Sequence, residues 1–95
     1  MSGEIAELRL QLDEIDRELV KLFERRMAVS RLVAAYKKEK GLPVLDAARE
    51  QQVIATRLQW LADKGLEAPL QALFAEIMRL SRLEQESALG RGDAV

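Results

Sequence analysis

Arg26 and Lys37 lie eleven residues apart in a stretch, Glu4 to Lys40, that contains no Gly and no Pro. On an α-helix eleven steps of about 100° leave a remainder of about 20°, so the two cations share nearly one face. Arg49 stands three residues after Asp46 and next to Glu50. Ser81 and Gln85 finish a line begun by Phe74 and Met78, at steps of four, three and four. The chain has no His and no Cys. Imidazole bases, thiolate nucleophiles, disulfides and most transition-metal sites are thereby excluded. Charge and hydrogen bonding are what remain. Two or more cations, at least one of them a planar guanidinium fork, suit a small dicarboxylate.

Each of these residues also has a plainer role open to it. Arg26 could be half of an interface ion pair. Lys37 could simply complement the dipole at a helix end, and Glu50 could do the same at a helix start. Asp46 and Arg49 could form a surface pair of little energetic weight. Ser81 and Gln85 could lie where a helix frays into solvent. The set is more informative than its members. Three segments each place polar side chains on a stripe that should face inward, and cations buried together without partners are costly. An anionic ligand would supply the missing charge.

The elements that must position these groups are helices. An apolar seam runs from Ile5 to Tyr36 in alternating steps of three and four, and Arg26 takes a place where an apolar residue is due. Gly41 and Pro43 end this helix. A second helix is expected from an Asp46 N-cap to about Lys64, with Gly65 as its stop. In it Glu50 opens a line continued by Ile54, Leu58 and Leu61. A third is expected with Pro69 in its first turn, ending near Leu89 ahead of Gly90. Residues 1–89 then form one helical domain, and the tail 90–95, GRGDAV, is expected to be disordered.

The fold class read from this pattern is all-α, with one very long and two shorter helices. At about 1.5 Å per residue the first helix is about 55 Å long. A compact globule of this chain length is only about 30 Å across. The shorter helices cannot cover a seam that long, so an intertwined homodimer is expected. Arg9 is about 25 Å from Arg26 and about 42 Å from Lys37 along the helix axis. It could join a site built on those two only from a partner protomer, and antiparallel pairing of the long helices would bring it there.

The 95 residues, 48% apolar but only 4% aromatic, suffice for one domain with an aliphatic core. The net charge of −1 gives no field that favours nucleic acid or an anionic membrane. The amino terminus, MSGEIAELRL, has no apolar core of signal-peptide length. No run approaches the roughly 18 apolar residues of a membrane span. A soluble cytoplasmic protein is expected.

In these residues and their spacing the chain resembles the all-α chorismate mutases, known as bacterial stand-alone enzymes and as the amino-terminal module of fused chorismate mutase–prephenate dehydratases. The likeness runs from about Leu8 to Gln85. It is carried by LRxxLDEIDRELVxLFxRR, the pair Tyr36–Lys37, PVLDxxRE and SRLEQ. The resemblance implies that Arg26, Lys37 and Arg49 surround the substrate's carboxylates and ether oxygen, with Arg9 donated across the dimer. It implies Asp46 and Glu50 near the ring hydroxyl and Ser81 near a carboxylate. Gln85, with Lys37, would bond the ether oxygen. Lys37, Gln85, Arg26 and Glu50 would be the catalytic residues. The implied reaction, chorismate to prephenate, is unimolecular and needs no metal or cofactor. Isochorismate–pyruvate lyases share the fold and part of the site but tend to lack the Asp and Arg-Glu arrangement kept here in PVLDAARE. A non-catalytic helical dimerisation module is the other alternative.

Overall fold

The structure, a computed structural model, describes residues 2–93, with side chains from 3 to 89. Among these residues there are three α-helices and a 3₁₀ turn, and no strand. Helix α1 spans Ser2–Lys40. It starts with Glu4 in its first turn and ends with Lys37, Lys38 and Lys40 in its last, the arrangement the helix dipole favours. Gly41 terminates it at φ +67°. The Leu42 N–H donates to the Lys37 carbonyl at 2.8 Å and the Gly41 N–H to that of Lys38 at 3.3 Å. Those two bonds make a Schellman cap, which requires the left-handed residue that glycine supplies.

Helix α2 spans Ala47–Gln59, and Asp46 caps it by accepting from the Arg49 N–H at 3.0 Å. It stops short of the expected Lys64. The chain tightens into i→i+3 bonds at its end, Trp60 to Arg57 and Leu61 to Leu58. The Arg57 guanidinium stacks on the Trp60 ring at 4.6 Å, and Lys64 Nζ takes the exposed Leu58 carbonyl at 3.2 Å. Gly65 is not the stop of α2. Its N–H donates to Asp63 Oδ1 at 2.9 Å, and it belongs to the turn Lys64–Leu66 that leads into α3.

Helix α3 spans Glu67–Asp93 and carries Pro69 in its first turn. It does not end near Leu89. The backbone stays helical through Gly90, so residues 90–93 of the expected tail continue α3, while residues 94 and 95 lie outside the described residues.

Helix α3 is the element that packs against both α1 and α2. The core is small, with Met27, Ala34, Val53 and Met78 as its buried apolar residues. All of α1 from Gly3 to Arg25 is exposed. Its seam residues Leu8, Leu12, Ile15 and Leu19 stand 53–57% open. The molecule measures 58 × 31 × 14 Å, with a radius of gyration of 17.2 Å. A compact chain of this length would have one of about 12 Å. Half of α1 therefore projects beyond the part of the chain that folds against itself.

Candidate active site

The carboxy-terminal half of α1 supplies one wall of a cavity of about 480 Å³, a size suited to a small molecule. Arg26, Ser30, Val33 and Lys37 line it at steps of four, three and four, so one helical face presents them together. Arg26 Nη1 donates to Ser81 Oγ on α3 at 2.8 Å. Lys37 Nζ donates to the Val44 carbonyl at 2.6 Å and to Gln85 Oε1 at 3.2 Å. The first of those bonds ties the loop after Gly41 to the end of α1, which places Leu42 and Val44 on the cavity wall.

Helix α3 forms the second wall with Met78, Ser81, Arg82 and Gln85. Ser81 and Gln85 are buried rather than frayed. Gln85 Nε2 donates to Ser30 Oγ at 3.1 Å, and Ser30 Oγ donates to the Ser81 carbonyl at 3.5 Å. The amide is thus held between two α1 side chains, with Oε1 on Lys37. One Nε2–H remains beyond the bond to Ser30.

Helix α2 closes the third side with Asp46, Arg49, Glu50 and Val53. Arg49 Nη1 donates to Gln52 Oε1 at 3.0 Å. Glu50 forms an ion pair with Arg82 of α3.

Four cations, Arg26, Lys37, Arg49 and Arg82, line the cavity against two carboxylates, Asp46 and Glu50. Among the described residues Arg26, Lys37 and Arg49 form no ion pair; only Arg82 does. Burial presses the pKa of Arg26 below the usual guanidinium value, and the charges of Arg57 and Arg49 add to the effect. The cavity is therefore short of negative charge. Two carboxylates on one small ligand would balance it. Among the described residues no cluster of His, Cys, Asp and Glu is placed to hold a metal ion.

Of the eight residues singled out in the sequence, seven line this one cavity. Arg9 does not; it sits on the exposed half of α1. Sequence reasoning passed over Ser30 and Arg82. Both were findable: Ser30 is four residues after Arg26, and Arg82 four after Met78, each on a stripe already marked. The wall residues Leu42 and Val44 carried no such signal, because a loop has no period.

Residues 8–86 match the family model described as chorismate mutase type II. The chain belongs to that family. It is 36% identical to a chorismate mutase of Methanocaldococcus jannaschii over 56% of this chain and 54% of that protein. It is 32% identical to a T-protein of Haemophilus influenzae over 70% of this chain but 18% of that protein. It is also 30% identical to an isochorismate pyruvate lyase of Pseudomonas aeruginosa over 85% of this chain and 80% of that protein. The match thus spans about half of the archaeal chorismate mutase and under a fifth of the T-protein. No solved structure gives a significant match. Within this type II family fold, the seven convergent residues come from all three helices, so the cavity exists only when α3 is docked on both α1 and α2.

Proposed function

We propose that this chain is a chorismate mutase, an intramolecular isomerase acting in the cytoplasm in phenylalanine and tyrosine biosynthesis. The observation that carries this reading is the set of cations without carboxylate partners, drawn from α1 and α2, around one small cavity. The rearrangement breaks the C–O bond of the enolpyruvyl ether and forms a C–C bond within the same molecule. No proton, nucleophile or cofactor enters. Arg26, Arg49 and Ser81 bind the two carboxylates and hold the side chain folded over the ring, which selects the reactive conformer. Lys37 and Gln85 donate to the ether oxygen as negative charge grows on it, an electrostatic role like that of an oxyanion hole. Asp46 and Glu50 receive the ring hydroxyl.

The working unit in this reading is a homodimer. The open seam on the first half of α1 is too long for the rest of the chain to cover, and contiguous exposed apolar surface of that kind fits a partner helix. A second copy packed antiparallel would bring its Arg9 to the cavity. Mixing inactive Arg9→Ala and Arg26→Ala proteins and allowing subunits to exchange should restore about a quarter of wild-type activity, because each hybrid dimer rebuilds one intact site. If Arg9 serves its own chain, the mixture stays inactive.

Isochorismate–pyruvate lyase is the second reading, favoured by the relative matched over 85% of this chain. Retention of Asp46, Arg49 and Glu50 on the cavity wall supports the mutase. Incubation of the purified protein with chorismate and separately with isochorismate decides between them. Prephenate from chorismate is the expected product; pyruvate with salicylate from isochorismate, and no prephenate, would overturn it.

A further inference from the structure

Arg82 differs from the other cavity cations. Its guanidinium is committed to Glu50, while Arg26, Lys37 and Arg49 have no carboxylate. The pair bridges α3 to the first turn of α2, and both side chains are mostly shielded, at 30% and 24% exposure. Glu50 has three rotatable bonds, follows Arg49 in sequence and lines the same cavity as Arg26. Without a fixed partner its carboxylate would be free to turn toward the cations of the same cavity that would hold the ligand.

Resting on the mutase reading, we infer that Arg82 is a positioning residue, which pins the Glu50 carboxylate at the cavity wall as acceptor for the substrate hydroxyl and keeps it off the substrate-binding cations. Removing Arg82 leaves a stranded carboxylate that competes with the substrate. The competition acts on binding before the barrier, so KM carries the effect. Removing the Glu50 charge as well ends the competition.

The test is a double-mutant cycle in chorismate turnover, with wild type, Arg82→Gln, Glu50→Gln and the double variant. Arg82→Gln should raise KM about tenfold with kcat changed less than about threefold. On the Glu50→Gln background the same substitution should change KM less than about twofold. Arg82→Lys should retain a KM near that of wild type. Thermal midpoints by circular dichroism give the folded fraction. Should Arg82→Gln fail to fold, Arg82→Met, which keeps the aliphatic stem, is read in the same way. KM losses that multiply in the double variant mean that Arg82 touches the substrate itself, and an unchanged KM in Arg82→Gln means a pair without functional effect; either overturns the inference. A wild type that does not turn over chorismate overturns the mutase reading and this inference with it. An active wild type with either of the earlier outcomes overturns the role of Arg82 alone.

Discussion

On the proposed mutase reading, Arg26→Leu is expected to abolish chorismate turnover and to leave the protein as stable as wild type or more so. The two halves of this expectation have one cause. Arg26 occupies a seam position flanked by Leu22 and Val29, where a leucine would continue the pattern. Its guanidinium is half-buried, disfavoured by desolvation and by the charges of Arg57 and Arg49, and its hydrogen bond goes to a neutral hydroxyl. A cation whose folded-state pKa lies below its unfolded value is destabilising at every pH at which it stays charged in both states, which includes neutrality. Leucine removes that cost and adds apolar burial, against the loss of the charge-assisted bond to Ser81, about 1.5–3 kcal/mol. Turnover, by contrast, loses the carboxylate clamp proposed for Arg26 and is expected to fall by on the order of 10²-fold or more. A thermal melt and a turnover assay on the same preparation check both halves. A variant that unfolds while its remaining folded fraction keeps full activity would show Arg26 to be structural.

The pH–rate profile of Gln85→Glu moves toward acid, while that of the parent stays flat near neutrality. An amide donates a hydrogen bond without titrating, whereas a carboxyl donates only when protonated. Lys37 Nζ lies 3.2 Å from the amide oxygen of Gln85, and Arg26 lines the same cavity. Those charges favour the ionised form of a glutamate placed there, while burial of the site favours the protonated form. The donor is regained only as the pH falls toward the pKa of that carboxyl. At neutrality the variant presents an acceptor to an ether oxygen that is itself becoming negative. Losing a donor of this kind costs on the order of 10²–10³ in kcat. Rates measured from about pH 4 to 8 test the expectation, given the usual carboxylate range. A profile identical in shape to that of the parent would take Gln85 out of the ether-oxygen role.

The lengths and ends of the elements were unequally legible. The end of α1 was plain in Gly41, because a single residue with the required backbone freedom decides where a Schellman cap can form. The end of α2 was not. Gly65 looked like the same signal, but Asp63 recruits it for the next turn and Lys64 folds back onto the Leu58 carbonyl. Competition between neighbouring caps is settled by side-chain geometry that a one-dimensional pattern does not contain. Gly90 misled in the opposite direction, since a glycine is a permissive residue and not an obligatory stop.

By itself the sequence determined the helical class, the over-long first helix and the stripes that carry Arg26, Lys37, Ser81 and Gln85. These follow from a period of 3.6 residues, a property of the local chain. It also made the polar interruptions of those stripes visible as exceptions to an apolar rule. Only the tertiary structure decided that three stripes meet at one cavity, that Gln85 spans Ser30 and Lys37, and that Glu50 is held by Arg82 while three neighbouring cations have no carboxylate. Those facts depend on how α3 docks against α1 and α2, and so on contacts between residues some 30 to 55 positions apart. Periodicity tells which side of a helix faces inward; it does not tell which other side chain waits there.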